Sequence, residues 1–396
     1  MSPERVVLPT NVSPVHYDLK LTPNLETFVL KGEAAITLTF EAPQTKDGEP
    51  SFFLVNKSFT GVFRTNCSGE SIRKIGQAIL AGHPDLAVSD RAGLLADQSS
   101  LAVSGYSSVN RLLDLVQYYK NETTFVVWSL LLAKLDNIMQ LFSVNDRTYE
   151  GVKHFQRELV DKLVHQLGWE FPENEDYLTT RLRGSILSAA GKAGHEATVK
   201  EGLRRFELFM QEGADQVAAL HPSIRRTAFE IALTHGGVKE FDQVLNYYRT
   251  TPKQDQQSMA LVALGASAHG QEMIQRVFEF ALSSEVRSQD MPHVLSGLST
   301  NIKARHSAWN WIKSHWATLH ERFTGNMGML GLLVKAPVNG MADKAILKDL
   351  TDFFADKDVK EFDRDLEQAK EALRIRCKWV SRDGPALEAW LVENGH

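Results

Sequence analysis

The sequence predicts a mostly α-helical protein: an α-α superhelix, that is, a HEAT/armadillo-like solenoid of helix pairs, preceded by a short N-terminal β-hairpin. Three observations favour this fold class. Apolar residues alternate along residues 15–40, they recur with helical spacing through most of the remaining chain, and brief turns marked by Gly or Pro separate the helical segments. With 396 residues, 43% of them hydrophobic, the chain is long enough to bury a sizeable core.

The N-terminal segment, residues 1–43, has the pattern of a β-hairpin. Its first apolar residues alternate with polar ones, as in a half-buried strand: Val15, Tyr17, Leu19 and Leu21. Pro23-Asn24 marks a turn, and a second run extends from Phe28 to Phe40. Because a lone two-stranded ribbon is marginal in water and has unpaired edges, we interpret this hairpin as a fragment of a larger β-domain.

Two short segments join the hairpin to the helices. Residues 44–50, QTKDGEP, are a polar linker without any candidate site. Residues 51–65 are predicted to form one more strand, the remnant of a sandwich domain, with Gly61 as a turn. Residues 66–396 are predicted to be the helical solenoid domain, and because no strict motif repeats at a fixed period, its helix pairs would be divergent.

The thirteen histidines offer candidates for a metal site. A helical zinc site of the H-E-x-x-H type needs two imidazoles one turn apart with a general-base carboxylate between them. His195-Glu196 is followed by Val199 and His320-Glu321 by Thr324, so neither pair has the second imidazole. No two histidines are spaced i, i+4, and a site assembled from distant histidines would be invisible in the sequence.

Other catalytic patterns are also missing from the sequence, which has neither a P-loop nor a G-x-S-x-G elbow. Cys67 follows a predicted strand and is a candidate nucleophile, but no partner base is marked, so a structural thiol is the favoured interpretation. Cys377 falls on an apolar helical face and is interpreted as a packing residue. We therefore assign no catalytic, metal-binding or cofactor-binding residue.

One aromatic stripe and two basic pairs have alternative interpretations. The stripe consists of Trp309, Ile312, Trp316 and Leu319. A core face is favoured over an aromatic ligand groove, because apolar residues at this spacing usually face the protein interior. The paired basic residues Arg204-Arg205 and Arg225-Arg226 are interpreted as solvated helix surface.

Composition limits the partners and the compartment. A net charge of −5 gives no reason to expect a nucleic acid or an anionic membrane as a partner. The N-terminus has no apolar segment typical of a signal peptide, and no run approaches 18 consecutive apolar residues. The two cysteines are too far apart in sequence to suggest a disulfide framework. We expect a cytoplasmic protein.

Several segments occur in an order typical of one family. They include RVVLPTNVSPVHYDLKLTPNLETFVLKGEAAITLTFEAP (5–43), FFLVNKSFTGVFRTNC (52–67), NETTFVVWSLLLAKL (121–135) and KWVSRDGPALEAWL (378–391). Together they resemble the gluzincin zinc aminopeptidases, specifically the fungal cytosolic members of the puromycin-sensitive type. That family usually reads N....G.YR..Y in the second segment, so Phe63 and Cys67 replace two aromatic residues.

The resemblance implies a zinc peptidase domain that this chain does not match. In the family, G-x-M-E-N captures the substrate's amino group, H-E-x-x-H and a downstream Glu hold zinc, and a Tyr stabilises the tetrahedral intermediate. GNMGM (325–329) and NGMAD (339–343) are not the amine-binding motif. No catalytic residue is carried over and no cofactor is expected for this chain, although zinc belongs to the complete family. Residues 44–50 therefore resemble a seam at which the catalytic domain is missing.

Three hypotheses about function follow from the resemblance. The first is a truncated, catalytically inactive aminopeptidase-like protein that binds peptides or a full-length homologous enzyme. The second is an incomplete record of an active, broad-specificity metalloaminopeptidase that removes N-terminal residues from peptides. The third is a scaffold for other proteins. A helical array without its neighbouring domains exposes an apolar face, so self-association is expected as well.

Overall fold

A computed structural model of the protein describes residues 12–24, 29–40, 52–212, 219–326 and 328–396. Contacts between Cα atoms divide the chain into two compact units, Met1–Val55 and Asn56–His396. The predicted linker or seam at 44–50 lies outside the described residues, as do the ends of the predicted hairpin segment. The helical domain was predicted to start at residue 66, whereas the second unit begins earlier, at Asn56.

The first unit contains the predicted hairpin. Strand β1 (Val12–Asn24) pairs antiparallel with β2 (Val29–Phe40), with a register shift between Pro14 and His16. The predicted half-burial of β1 is wrong, because its apolar face is exposed. The side chains of that face are 53% to 68% accessible: Val15, Tyr17, Leu19 and Leu21. A two-stranded ribbon has only one layer, so the described part of this unit offers nothing to cover that face.

The second unit is helical. In chain order, its α-helices are α1 (Gly69–Leu80), α2 (Val88–Ser104), α3 (Val109–Val116), α4 (Phe125–Leu141), α5 (Asp146–Leu167), α6 (Tyr177–Ala193), α7 (Glu196–Glu212), α8 (Arg225–His235), α9 (Val238–Thr250), α10 (Gln254–Ser267), α11 (Gly270–Leu282), α12 (Met291–Thr300), α13 (Arg305–Ser314), α14 (Trp316–Phe323), α15 (Met329–Val338), α16 (Lys344–Phe353) and α17 (Asp363–Glu393). Short 3-10 helices lie at Lys57–Phe59, Gln117–Asn121 and Pro222–Ile224. The predicted mostly α-helical class is confirmed.

The strand predicted over 51–65 does not form in its described part, residues 52–65. In this segment, backbone N–H and C=O groups that would pair with a neighbouring strand form hydrogen bonds with side chains instead. The Asn56 carboxamide accepts a hydrogen bond from the Gly61 N–H at 2.9 Å and donates one to the Gly61 carbonyl at 3.0 Å. The buried Asp97 carboxylate in α2 accepts from the Thr65 N–H at 2.8 Å. These contacts fold the segment into turns.

Local sequence signals explain where individual helices begin and end. Helix α1 begins after Ser68, whose hydroxyl accepts a hydrogen bond from the Ser71 N–H at 3.2 Å. Helix α6 begins after Asp176, which accepts from two backbone N–H groups of its first turn, and it ends at Gly194 with a φ of 77°. Such capping residues satisfy the free N–H and C=O groups at helix ends.

The helices of the second unit form two layers. Contacts link α4, α6, α8, α10, α12 and α15 in that order, and we call these helices the first layer; the helices between them contact the first layer, and we call them the second layer. Helices α10 and α12 pack backbone to backbone at Gly265 and Gly297. A Cβ atom at Gly297 would overlap the Val262 carbonyl oxygen, so only glycine fits there. The alternation of layers is the helix-pair solenoid expected from the sequence.

The last helix closes the array against its beginning. Helix α17 contacts α2, α3 and α5 as well as its chain neighbours α15 and α16. The Asp383 carboxylate accepts a hydrogen bond from the Val109 N–H at 2.9 Å, and the Trp390 indole donates to Asp114 at 2.7 Å. Arg305 adds a second bridge, since its guanidinium donates to the Gln140 carbonyl at 2.9 Å and to the Gly340 carbonyl at 2.7 Å.

The aromatic stripe is part of the core, as predicted. All four residues are buried: Trp309, Ile312, Trp316 and Leu319. The Trp309 indole donates a hydrogen bond to Asp349 at 2.6 Å, which satisfies its polar group. The stripe spans two helices, because α13 ends at Ser314 and α14 begins at Trp316.

Only one residue of each basic pair is exposed as predicted. Arg204 and Arg226 are exposed, but Arg205 and Arg225 are buried, so the surface interpretation is wrong for these two. The Arg205 guanidinium lies 5.8 Å from the Trp169 ring centroid and pairs with carboxylates. The Arg225 guanidinium lies 5.1 Å from the Phe209 ring centroid. Consecutive residues on a helix point in different directions, and here one of each pair faces aromatic rings.

None of the helices within the described ranges is long and apolar enough to cross a membrane.

Candidate functional site

A groove runs along the first layer of helices. One cavity of about 470 Å³ lies between α4, α6 and the start of α8, and a second of about 140 Å³ lies between α4, α6, α8 and α10. Asp136 and Lys192 line both cavities. We call this surface the first-layer groove, and its principal polar residues are Asp136, Tyr149, Arg181, Lys192, Arg226, Glu230, His269 and Lys303. The larger cavity has the volume of a small-ligand pocket.

Charged side chains of both signs line the first-layer groove. The Lys192 ammonium lies 3.5 Å from the Asp136 carboxylate, which raises the pKa of Lys192. One turn apart on α8, the Arg226 guanidinium donates to the Glu230 carboxylate at 2.7 Å. The Lys192, Asp136 and Arg226 side chains are all at least partly accessible. Partly exposed ion pairs stabilise a protein only slightly. A ligand can therefore replace one partner of such a pair at little cost in folding free energy.

The smaller cavity of the first-layer groove adds further polar groups. His269 lines the smaller cavity, and its Nδ1 atom makes no hydrogen bond among the described residues. Tyr149 lines the same cavity, and burial raises the pKa of its phenol, so it is present as a hydrogen-bonding hydroxyl. Together these groups offer donors and acceptors for an extended, polar ligand.

The two cysteines are placed as structural thiols. Cys67 is partly buried, and its pKa is raised first by burial and then by the nearby Asp97 carboxylate. A raised pKa means little thiolate at neutral pH, which does not suit a nucleophile. Cys377 is buried on α17, as expected for a packing residue.

The two His-Glu pairs do not fit the zinc site of the resembled family. Both ring nitrogens of His195 have partners: Nδ1 lies 2.9 Å from the Thr198 hydroxyl and Nε2 lies 3.1 Å from Asp161. The Nδ1 atom of His320 lies 3.2 Å from the Thr324 hydroxyl. The His165 ring lies 6.1 Å from the His195 ring between centroids. However, neither His195 nor His320 belongs to a group of three potential ligands within 4.8 Å among the described residues, so no zinc chemistry is derived from them.

The structure does assemble one group of potential metal ligands that the sequence did not indicate. In the part of the chain that the structure describes, the ligand atoms of His154, Glu158 and His396 all lie within 4.8 Å of one another. The i, i+4 spacing of His154 and Glu158 was a usable signal, whereas His396 is distant in sequence. None of the three lines the first-layer groove.

Comparison with known proteins gives a consistent set of similarities. The family model described as ERAP1-like C-terminal domain matches residues 52–375. The chain is 28% identical over 386 residues to "Aminopeptidase 2, mitochondrial" of Saccharomyces cerevisiae, covering 97% of this chain and 39% of that protein. It is 30% identical over 295 residues to "Aminopeptidase M1" of Arabidopsis thaliana, covering 74% of this chain and 33% of that protein. The chain thus spans about two fifths of the length of the curated relatives it matches.

Proposed function

Because this chain belongs to the ERAP1-like C-terminal domain family, we propose that it is a truncated aminopeptidase-like protein that binds peptides and hydrolyses none by itself. One observation carries the proposal. Similarity to aminopeptidases extends over 97% of this chain, yet the H-E-x-x-H motif occurs nowhere in its sequence. We also propose that the protein is cytoplasmic. Its helix pairs are, in this proposal, divergent HEAT-like repeats.

The first-layer groove is the proposed peptide-binding surface. A peptide carries amide donors and acceptors along its length and opposite charges at its ends, and this groove presents polar groups and charges of both signs. The Lys192 ammonium suits a carboxylate or carbonyl oxygen, and Asp136 suits an ammonium group. Because four cationic residues line the groove and only two carboxylates do, it would favour acidic over basic peptides.

Peptide binding is tested with fluorescein-labelled peptides and fluorescence anisotropy. We expect saturable binding by the purified chain and a roughly tenfold weaker affinity for Lys192→Ala, a loss of about 1.4 kcal/mol. The matched control is Lys200→Ala, which removes an exposed lysine from second-layer helix α7. The groove assignment is wrong if the parent does not bind, or if both variants bind as tightly as the parent.

The alternative is that the sequence is an incomplete record of an active, broad-specificity metalloaminopeptidase. This alternative is favoured because the match covers only 39% of the yeast protein "Aminopeptidase 2, mitochondrial". The transcript separates the two hypotheses. The truncated protein is supported if the transcript, read across the codons for residues 40–55, encodes this same sequence without interruption. The alternative is supported if the transcript encodes a catalytic domain inserted there.

We also propose self-association, or association with a full-length homologous enzyme, through the exposed face of β1. An uncovered apolar face on a two-stranded ribbon favours pairing with another chain. The double variant Val15→Lys, Leu19→Lys is expected to shift the chain from oligomer to monomer in size-exclusion chromatography with light scattering. Asp18→Lys is the matched control, because it changes the net charge equally from the opposite face. A monomeric parent would exclude this interface.

A further inference from the structure

Three side chains that could bind a metal ion meet where the chain's last residue packs on helix α5. His154 and Glu158 lie one turn apart on α5, and the His154 Nε2 atom is 3.6 Å from a Glu158 carboxylate oxygen. The His396 Nδ1 atom is 3.9 Å from the other oxygen of the same carboxylate. The two imidazole rings are 5.2 Å apart between centroids and nearly perpendicular. One carboxylate is therefore flanked by two imidazoles.

The His396 imidazole is buried and has a free ligand atom. Its side chain is only 7% accessible, and its Nδ1 atom makes no hydrogen bond among the described residues. The ring contacts Phe155 at 5.2 Å and stacks on Trp390 at 6.1 Å between centroids. A buried nitrogen without a partner is costly unless something binds it.

The spacing suits a tetrahedral ion. At the usual zinc–ligand distances, two ligand atoms on a tetrahedral zinc ion are about 3.3 Å apart. The observed 3.6 Å and 3.9 Å lead to different oxygens of the Glu158 carboxylate, and the three ligand atoms lie within 4.8 Å of one another. Rotation of the partly exposed His154 and Glu158 side chains is needed to bring one carboxylate oxygen and both imidazole nitrogens to the tetrahedral spacing. Imidazole and carboxylate ligands favour zinc and related transition-metal ions over magnesium.

We propose that His154, Glu158 and His396 form a binding site for a divalent transition-metal ion of the zinc type. Three protein ligands leave one coordination position for water. The site joins the C-terminal residue, which follows α17, to α5 near the beginning of the array. A bound ion therefore stabilises the closure of the helical array, because it binds only when both ends are in place. The site is independent of the peptide groove and of the proposed loss of peptidase activity.

The test is metal binding by the purified full chain, first freed of metal with a chelator. Calorimetric titration with ZnCl₂ is expected to show saturable binding of one equivalent, and thermal unfolding is expected to shift to higher temperature with zinc but not with MgCl₂. Cobalt(II) in place of zinc is expected to give the visible absorption of a tetrahedral complex.

Three ligand variants locate the site: His154→Ala, Glu158→Gln and His396→Ala. Each is expected to weaken zinc binding by roughly tenfold or more and to remove the thermal shift. His306→Ala, which removes an exposed histidine from α13, is expected to bind zinc like the parent. His154 and Glu158 are partly exposed, so their variants keep the core intact and any loss reports on the site. The absence of saturable binding by the parent, or equal binding by all three ligand variants, would overturn the proposal.

Discussion

Replacing Asp383 by alanine is expected to destabilise the helical unit by about 3–5 kcal/mol. The Asp383 carboxylate is buried and accepts hydrogen bonds from the Val109 N–H at 2.9 Å and from the Trp379 indole at 3.0 Å. It also accepts from the Arg382 guanidinium at 2.7 Å. Alanine would leave the amide and indole donors buried without an acceptor, and each such donor costs about 1–3 kcal/mol.

The position of these donors makes the effect large. Val109 is the first residue of α3, where free backbone N–H groups favour a negative charge. Asp383 therefore ties α17 to the N-terminus of α3 and closes the array. Asp383→Asn keeps the shape and one acceptor oxygen but loses the charge, so we expect an intermediate loss of about 1.5–3 kcal/mol.

Urea-induced unfolding, monitored by circular dichroism, measures the loss of unfolding free energy in each variant from the shift of its unfolding midpoint. Glu371→Ala is the matched control, because this exposed acid lies on the same helix and surface substitutions usually change stability by less than about 0.5 kcal/mol. An Asp383→Ala protein that unfolds within about 1 kcal/mol of the parent would show that the bridge does not hold the array closed.

Most of the helical unit could be predicted from the sequence because its signals are local. Apolar spacing and capping residues such as Ser68 and Asp176 act within a turn or two, so the helices could be inferred without knowledge of their neighbours. The hairpin was predicted for the same reason, from alternation. Its turn was misplaced, because Pro23 and Asn24 belong to β1 and pair with Leu30 and Val29 of β2.

The wrong predictions involve partners far away in sequence. Residues 52–65 alternate like a strand, but Asp97 in α2 binds the Thr65 backbone and the segment turns instead. Arg205 and Arg225 are each adjacent to an exposed arginine, and only tertiary packing places them on aromatic rings. A pattern of apolar residues cannot show which distant side chain binds a backbone group or covers a cation.

The candidate sites depend on tertiary structure even more strongly. The pairing of Lys192 with Asp136 requires that α4 and α6 pack side by side, which no motif indicates. His396 meets His154 and Glu158 only because α17 returns to α5. A site built from distant histidines is invisible in the sequence, and this group is such a case.

The largest expected effect concerns catalysis. Hydrolysis of an amide by a zinc peptidase needs a metal-bound water, a general base and a group that stabilises the developing oxyanion. In the resembled family these come from H-E-x-x-H, a downstream Glu and a Tyr, and the sequence contains no H-E-x-x-H. Enzymes typically accelerate their reactions by at least about a millionfold, so the loss of this machinery should remove all measurable turnover.

The most direct measurement is therefore the release of arylamine from aminoacyl-arylamides by the purified full chain, with and without added ZnCl₂. A complete family enzyme assayed in parallel is the positive control. We expect no turnover above the buffer rate, including when zinc occupies His154, Glu158 and His396. Turnover that depends on the chain and disappears with a chelator would contradict the account of an inactive, peptide-binding remnant.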